Sequence, residues 1–471
     1  MTERIVIDPV TRIEGHSKIT IQLDETGNVA DARFHVTQYR GFERFCVGRP
    51  FYEMPGLMGR ICGICTISHM LASAQACESI MSVRVMGTAQ MLRKIVNYAS
   101  LLQSHALAFF HLASPDFLLG MESDPDQRNL FGIMASNPEI ARDGIRLRGI
   151  GQGIIQILAN KKIHPDWIVV GGVTSPMTEE QRISILEMLP EAETIIRRTL
   201  GWFKRTLDDY REEVSIFGNF PTSFLALVNE HEEVLELYRG RLRMVDDHLH
   251  QIADFHRDEY QDYIGEAVEP WSYLKFPYYK PEGYPDGIYR VGPLARLNVI
   301  ESTGTPKADV ELAEFRERNH HSSMNYHLAR LIECLNAVES IQKLVEDPEI
   351  LNPRVRAHAT ANAESGIGVT EAPRGTLIHH YEVDENGLMT GANLIVSTTH
   401  NNLAMNRGVV QTARRYVDGN KLTEGMLNRV EAVIRAFDPC LSCSTHAYKQ
   451  MALHFEMRSP DDELLDEVLR G

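Results

Sequence analysis

The sequence predicts a mainly helical protein with small β-sheets, an α+β fold, and two observations support this. Apolar residues recur at helical spacing over long segments, which lie at 88–112, 136–160, 178–217, 308–347 and 423–437. Alternating apolar and polar residues, which predict strands, are confined to two short segments at 16–38 and 376–397. No internal repeat, low-complexity stretch or linker divides the chain, so these elements are expected to share one domain.

Turn and capping residues delimit several of these elements. In the first strand segment KITIQL and ARFHVTQY are joined by a turn at 24–27, and residues 384–387 form the turn of the second hairpin. Thr423 is the expected N-cap of the last helix, which ends at Asp438-Pro439 because proline cannot continue it. The stretch 262–307 is rich in proline, tyrosine and glycine, which predicts irregular surface structure or a partner-binding loop.

The composition is that of a soluble globular protein, since 43% of the 471 residues are hydrophobic and 24% are charged. The formal net charge of −16 would repel phosphate groups, so binding to nucleic acid or to anionic lipid is not expected. No apolar run reaches the roughly 18 residues of a membrane span, and the N-terminus lacks the apolar core of a signal peptide. We therefore expect a cytoplasmic protein, unless the signal of a partner exports it.

Four of the seven cysteines form two CxxC pairs near opposite ends of the chain, in RICGICTISH at 60–69 and DPCLSCSTH at 438–446. In a reducing compartment such pairs favour metal binding or redox chemistry over disulfides. Four thiolates suit a structural zinc site, although the pairs of a zinc ribbon normally lie much closer together. Two further cysteines, Cys77 and Cys334, have helical apolar surroundings and are expected to be buried as small hydrophobic residues.

The neighbours of the two pairs favour a redox metal over zinc. A histidine follows each pair, His69 after the first and His446 after the second, while Arg60 and Asp438 precede them. Structural zinc needs no such flanking groups, whereas polar neighbours tune the basicity and potential of thiolates on a redox metal.

With these neighbours, R-x-C-G-x-C-x-x-x-H and D-P-C-x-x-C-x-x-H resemble the two signatures of nickel–iron hydrogenase large subunits. VTRIEGH at 10–16, RGFE at 40–43 and EAPRG at 371–375 also occur in the order of that family, so the resemblance spans nearly the full length. It implies a helical core with a metal site formed by both chain ends, in a single domain at 1–446.

Within the family, three segments resemble most the catalytic subunits of cytoplasmic bidirectional NAD-linked hydrogenases. They are GIYRVGPLARLN at 287–298, GNFP at 218–221 and RAFDPCLSCSTH at 435–446. The resemblance implies reversible heterolytic cleavage of dihydrogen, with the electrons leaving toward NAD(P).

The resemblance also implies a ligand set. Cys62, Cys65, Cys440 and Cys443 would bind nickel, and Cys65 and Cys443 would also bridge to an iron that carries carbon monoxide and cyanide. The thiolate of Cys440 would act as the base, and Glu14 would relay the proton outward. Without the motif, Glu14 would be interpreted as an ordinary exposed glutamate at a strand edge.

Four further residues match positions around the metals in this family. Arg374 would lie over the metals, with Asp438 orienting it from the opposite side, and His69 would hydrogen-bond a bridging cysteine. Thr398 would donate to a cyanide, although Ser397 stands where many relatives have proline.

Glu43 and His446 match the pair that binds a structural Mg²⁺ or iron in the family. The segment QSHALAFFHL departs from the family pattern, because Ser104 stands where many relatives have aspartate and Ala108 where another histidine is common. An acidic residue over the active site is therefore absent, and His105 and His111 are expected to be packed core histidines.

Residues 447–471 match the extension that a nickel-dependent maturation protease removes in this family, after chaperones have inserted nickel. The alternative is a permanent C-terminal strand and helix, for which Met451, Leu453 and Phe455 supply apolar strand positions.

The chain needs partners, because it has no further cysteine set to carry electrons away. The resemblance implies a small iron–sulfur subunit and, for NAD, diaphorase subunits with flavin, since no GxGxxG motif in a strand–helix setting occurs here. Alternatives are a hydrogenase linked to a deazaflavin, ferredoxin or sulfur, a structural zinc protein, and a non-catalytic scaffold like the related respiratory-complex subunit. The last lacks the metal cysteines that this chain has.

Overall fold

A computed structural model describes residues 4–231, 233–419, 421–445, 453–459 and 464–470. The α-helices, numbered α1 to α17 in chain order, are Phe42–Phe45, Met54–Met58, Thr66–Ile80, Gly87–Ala106, Ser114–Leu118, Leu130–Ser136, Pro138–Ala159, Glu179–Asp209, Arg211–Ile216, Tyr260–Tyr263, Pro293–Val299, Pro306–Arg316, Asn325–Glu346, Ser397–His400, Asn402–Tyr416, Glu424–Phe437 and Leu441–Ser444. The strands, β1 to β16, are Arg4–Ile7, Ser17–Leu23, Val29–Val36, Ile168–Val169, Gly172–Val173, Ser223–Val228, Arg241–Val245, Gln251–Phe255, Ile264–Ala267, Phe276–Tyr279, Tyr289–Arg290, Ser365–Ala372, Gly375–Val383, Met389–Ile395, Leu453–Arg458 and Leu464–Arg470. The predicted α+β class, mainly helical with small sheets, is confirmed.

The core is built around two long helices, α4 and α13, that pack against each other and against α7 and α8. Both are buried around most of their circumference, including polar positions, so they lie at the centre of the helical layer. The predicted helix at 88–112 is confirmed, but its last turns widen into a π-helix at Leu107–Ala113. The segments 178–217 and 308–347 are helical as predicted, each divided into two helices.

Small sheets flank the helices, and the described strand pairs are antiparallel except for β11 with β6, which is parallel. The two predicted N-terminal strands are β2 and β3, and β1 adds a third strand on β2. The predicted second hairpin is β13–β14, and β12 extends it on the other side. Sequence reasoning missed β12 because nearly every residue in it is buried, which removes the alternation expected of a half-exposed strand. Gly368 lets β12 approach α3 closely, since a Cβ there would lie 1.9 Å from the carbonyl oxygen of Ala72.

The interpretation of 262–307 as irregular surface structure is wrong. This stretch contains β9, β10, β11 and α11, and most of its apolar side chains are buried. Tyrosines cause the difference, because a tyrosine can bury its ring if its hydroxyl finds a partner. Tyr289 is fully buried, and its hydroxyl lies 2.6 Å from Nδ1 of His400.

Both ends of the chain converge on one edge of the core. Helix α16 begins at the predicted N-cap Thr423, whose Oγ1 accepts from the N–H of Met426, and it ends at Asp438 in a left-handed conformation. The described tail residues form an antiparallel hairpin, β15–β16, so the tail has a second strand in place of the helix of the alternative interpretation. Met451 and His446 lie outside the described residues. In the described part of the chain, no helix combines the length and the apolar character needed to cross a membrane.

Candidate metal centre

Four buried thiols from the two chain ends meet at one point: Cys62, Cys65, Cys440 and Cys443, which we call the cysteine cluster. Their ligand atoms all lie within 4.8 Å of one another. The Sγ–Sγ distances are 3.4 Å for Cys62–Cys440, 3.2 Å for Cys65–Cys443 and 2.7 Å for Cys440–Cys443. All four cysteines are free, with separations well beyond the roughly 2.05 Å of a disulfide. The sequence prediction that the two pairs form one site is therefore confirmed in geometry.

Local backbone structure fixes each thiol. Cys65 and Cys440 are the N-cap residues that immediately precede α3 and α17. The segment at Glu14 forms a parallel bridge with Cys440, and the N–H of Leu441 donates to the carbonyl of Glu14 at 3.2 Å. Gly15 allows this approach, since a Cβ there would lie 2.7 Å from the Cβ of Leu441.

The chemistry of this donor set fits a soft metal. Hydrogen bonds from Cys440, Cys443 and Cys62 hold the pKa of the Cys65 thiol well below its ordinary value. Burial raises the pKa of Cys440 and Cys443 well above the ordinary value for a thiol. Four buried thiolates at these distances need positive charge among them, and thiolates favour soft or borderline metal ions.

Arg374 and Asp438 form a buried ion pair beside the cysteine cluster. Arg374 donates from Nε to the backbone carbonyl of Asp438 at 2.6 Å and from Nη2 to its carboxylate at 3.1 Å. Burial alone would lower the pKa of Arg374, but Asp438 and the thiols of Cys440, Cys65 and Cys62 raise it well above its usual range. The guanidinium is therefore a permanent cation facing the thiols.

The remaining predicted residues around the cysteines occupy defined positions. Glu14 is half-buried, and its carboxylate accepts from the N–H of Ser442 at 3.1 Å and from the Ser442 hydroxyl. Oγ1 of Thr398 accepts from the N–H of Cys440 at 2.9 Å. His69 is fully buried, with Nδ1 3.2 Å from Nε2 of His379, while its own Nε2 has no hydrogen-bond partner among the described residues.

Glu43 belongs to a separate polar group, which we call the Glu43 cluster. It joins side-chain oxygens of Glu43, Glu266 and Asn393 to the ammonium of Lys275. The ammonium of Lys275 lies 3.4 Å from Glu43, 3.0 Å from Glu266 and 3.1 Å from the side-chain oxygen of Asn393. Burial raises the pKa of Glu43, although Lys275 opposes this rise. Carboxylate and amide oxygens fit a hard cation such as Mg²⁺. The carbonyl of Thr445 accepts from the N–H groups of Arg40 and Gly41, which brings the segment before His446 close to this cluster.

Sequence reasoning missed several contacts in this region. Oγ of Ser104 accepts from Nη1 of Arg374 at 3.3 Å, so the serine at the departure from the family pattern touches the site. Ser442 binds Glu14, and His379 lies within hydrogen-bond distance of His69. Neither residue is a fixed position of a motif, so no sequence pattern selects it. His105 is fully buried, 2.7 Å from a carboxylate oxygen of Glu333, which agrees with a packed core histidine. His111 is half-buried.

Comparison with known proteins decides the family. The model of the nickel-dependent hydrogenase family matches residues 40–127 and 228–446, and a HoxL-like family model matches residues 4–39. The chain belongs to the nickel-dependent hydrogenases. It is 40% identical over the full length of both chains to the NAD-reducing hydrogenase HoxS subunit beta of Cupriavidus necator.

Other relatives of this hydrogenase large subunit include archaeal proteins. One of them belongs to the vhu F420-non-reducing hydrogenase of Methanococcus voltae and is 42% identical, over 87% of this chain and 98% of that protein. A solved NAD+-reducing [NiFe]-hydrogenase in the H2-reduced state is 43% identical with a TM-score of 0.92, over 94% of this chain and all of that one. A Ni-Fe-Se hydrogenase from D. vulgaris Hildenborough, at 22% identity and a TM-score of 0.77, shares the fold. The predicted family and activity class, a nickel–iron hydrogenase catalytic subunit, are confirmed.

Proposed function

We propose that this hydrogenase subunit holds its nickel–iron centre on Cys62, Cys65, Cys440 and Cys443 and passes electrons from dihydrogen through an iron–sulfur subunit to NAD(P). The observation that carries this proposal is the convergence of four buried, free thiols from both chain ends. When bound, the centre supplies the redox chemistry that splits dihydrogen, and its iron would carry carbon monoxide and cyanide. Cys65 and Cys443, whose Sγ atoms are 3.2 Å apart, would be the two thiolates that bind both nickel and iron.

Arg374 would provide a fixed cation beside the reacting atoms, because Asp438 holds two of its nitrogens. Thr398 would offer its hydroxyl hydrogen to a cyanide while its oxygen accepts from the N–H of Cys440. His69 would direct Nε2 toward a bridging cysteine, a role supported by the absence of any other partner for that atom among the described residues.

Proton movement would begin at the Cys440 thiolate and continue at Glu14. The backbone bridge between Glu14 and Cys440 supports this assignment, since it keeps the two residues side by side. The N–H and hydroxyl of Ser442 hold the carboxylate and exclude other orientations. Because Glu14 is half-buried, it lies between the closed cysteine cluster and solvent.

Glu43 and His446 would hold Mg²⁺, or iron. The carboxylate of Glu43 supports this proposal as a hard oxygen donor, while the ammonium of Lys275 balances part of the negative charge of Glu43 and Glu266. A hard ion with several waters would take over part of this charge balance.

The partners would be a small iron–sulfur subunit and diaphorase subunits carrying flavin and NAD, in the cytoplasm. The full-length identity of 40% to a component of a NAD-reducing hydrogenase supports this choice. Nickel-insertion chaperones would load the site, and a protease would then remove residues 447–471. A second candidate is an acceptor other than NAD(P), such as ferredoxin, because the chain is also 42% identical to a component of a hydrogenase of Methanococcus voltae that is not named for NAD. That hydrogenase is named F420-non-reducing, so the likeness does not favour a deazaflavin.

The decisive experiment is purification of the complex from cells supplied with nickel, followed by metal analysis and infrared spectroscopy. We expect about one nickel and one iron per chain, infrared bands of bound carbon monoxide and cyanide, and a chain that ends at His446. Hydrogen-dependent reduction should then be compared for NAD, NADP, a deazaflavin and ferredoxin. Zinc alone, without infrared bands, contradicts the metal assignment, whereas reduction of ferredoxin but not NAD(P) supports the second acceptor.

A further inference from the structure

Arg296, on α11 in the GIYRVGPLARLN segment, is fully buried, and all five N–H donors of its guanidinium are used. Nε and Nη2 donate to the two carboxylate oxygens of Glu333 at 2.5 and 2.7 Å, and Nη1 donates to Glu371 at 2.7 Å. The other two donors bind the carbonyls of Ala372 and Pro373 at 2.9 and 3.2 Å. Such a bidentate, saturated arginine sets geometry tightly.

One side of this arrangement controls the backbone that carries Arg374. Ala372 and Pro373, whose carbonyls Arg296 binds, immediately precede Arg374 at the turn between β12 and β13. Glu371 is itself held by the hydroxyl of Thr376, at 2.8 Å, on the other side of that turn. Arg296 therefore holds this turn through two backbone carbonyls, those of Ala372 and Pro373, and through the carboxylate of Glu371.

The other side controls the hydroxyl that contacts Arg374. Nε2 of His105 donates to Glu333 at 2.7 Å, because a carboxylate can only accept. His105 is the neighbour of Ser104, and Ser104 accepts from Nη1 of Arg374 at 3.3 Å. The helix widens into its π-turn at Leu107, so the bond of His105 anchors the last regular turn.

We propose that Arg296 is a positioning residue for the reaction: the Arg296 cluster, formed by His105, Arg296, Glu333 and Glu371, sets the distance and tilt between Arg374 and Ser104 over the cysteine cluster. This inference rests on the proposed role of Arg374 beside the metals. Asp438 binds Nε and Nη2 of Arg374, so Ser104 is the protein contact that orients the remaining nitrogen.

The test is Arg296→Lys in the complete hydrogenase, because lysine keeps the charge but loses the planar fork. We expect nickel and iron content to stay at the wild-type level, kcat for hydrogen oxidation to fall by about 10²-fold, and the cyanide and carbon monoxide infrared bands to shift. A crystal structure of the metal-free variant should show that Arg374 and Ser104 no longer lie within hydrogen-bond distance.

Arg93→Lys is the matched control. Arg93 is also fully buried, binds Glu78 through two nitrogens and donates to the carbonyls of Val169 and Gly172. Its hydrogen bonds lead to α3, to the β4–β5 region and to the hydroxyl of Tyr238, and include none to Arg374 or Ser104. We expect Arg93→Lys to lower the melting temperature about as much as Arg296→Lys, while kcat and the infrared bands remain at wild-type values.

Equal changes of kcat and infrared bands in the two variants overturn the inference, as do wild-type bands and kinetics in Arg296→Lys. If Arg296→Lys does not accumulate as folded protein, Glu333→Gln supplies the same comparison, because it retains an acceptor for Arg296 but removes the charge. A wild-type protein without nickel–iron infrared bands contradicts the proposed function instead, while the metal-free crystal structures still decide the positioning role.

Discussion

The cysteine cluster and the Arg296 cluster are both buried and both join segments far apart in the chain, but they differ in how completely their polar atoms are paired. Around the cysteines, Nε2 of His69 and Oδ2 of Asp438 have no hydrogen-bond partner within the described parts of the chain. In the Arg296 cluster every N–H of Arg296 is used, and both oxygens of Glu333 and of Glu371 accept hydrogen bonds. The exception is Nδ1 of His105, which has no partner among the described residues.

This difference separates a site built to receive a ligand from one built to hold a shape. Buried polar atoms without partners are costly, so a protein retains them where another group completes the site. A saturated ion cluster gains nothing from a ligand, and its geometry is fixed by the many bonds each member makes. The two kinds of cluster should therefore respond differently to substitution.

The largest expected effect is the loss of the reaction when one ligand of the cysteine cluster is removed. Cys65→Ser should lose bound nickel and iron and with them hydrogen oxidation, because serine is a poor ligand for soft metals. Metal analysis and hydrogen-uptake assays measure this. Cys334→Ala, a change at a buried cysteine outside the cluster, should keep both metals. If Cys65→Ser kept nickel and iron near the wild-type level, the cysteine cluster would not be the metal site that distinguishes it from the Arg296 cluster.

In the Arg296 cluster the large effect should be on stability. Glu333→Ala leaves Arg296 and His105 without their shared carboxylate, so the free energy of unfolding should fall by about 3–5 kcal/mol. Denaturant unfolding of the metal-free protein measures this. The surface pair control, Glu314→Ala, breaks a half-exposed contact with Lys204 and should cost less than about 1 kcal/mol. Equal losses in the two variants would mean that burial is not the cause.

Asp438→Asn tests the ion pair that faces the cysteine cluster. Without the charge of Asp438, Arg374 loses its only carboxylate partner among the described residues, and we expect kcat to fall by about 10²–10³-fold. Metal content should stay near the wild-type value, which distinguishes this variant from Cys65→Ser. Asp143→Asn, at a surface ion pair with Arg198, is the control and should leave kcat unchanged.

The Arg296 cluster also predicts a pH dependence of stability. Burial lowers the pKa of His105 to about 4, whereas a histidine in the unfolded chain titrates near 6.5. The contribution of neutral His105 to the free energy of unfolding is therefore fully present above pH 6.5. It is lost as the pH falls from 6.5 to 4, by up to about 3 kcal/mol, because only the unfolded state takes up the proton. Unfolding free energies measured across this range should decline in the wild type. They should decline less steeply in His105→Gln; an identical slope would exclude His105 as the source.

The smallest expected effect concerns the far end of the helix that carries Asp438. Thr423→Ala removes the side-chain cap of α16 and should lower the free energy of unfolding by about 1 kcal/mol. Hydrogen oxidation should not change, since the cap lies at the opposite end of α16 from Asp438, on a helix that is otherwise packed. A loss of activity larger than the loss of stability would show that the cysteine cluster depends on the whole helix.

Much of the candidate site could be predicted because its residues lie in short, distinctive motifs. Cys62, Cys65, Cys440 and Cys443 occur as two pairs with flanking histidines, and the resemblance of these motifs to the hydrogenase signatures implies that the pairs meet at one metal site. The helices at 88–112 and 423–437 were predictable because their apolar residues recur at helical spacing.

Other features have no local signal, because their partners lie far away in sequence. The buried strand β12 lacks alternation. In the tyrosine-rich stretch at 262–307, no local pattern shows that Tyr289 is buried with its hydroxyl beside the distant His400. Ser104, His379 and Ser442 are ordinary polar residues whose roles depend on neighbours that the fold supplies.

The sequence by itself determined the donor chemistry of this hydrogenase subunit, since residue type decides which atoms are thiolates, carboxylates or guanidinium groups and spacing decides which of them share a turn. Only the tertiary structure decided which of these groups face one another and which polar atoms are left open. The reason is physical: pairing a buried charge requires a partner at hydrogen-bond distance. For Arg296, Arg374 and the cysteines, those partners come from segments that only folding brings together.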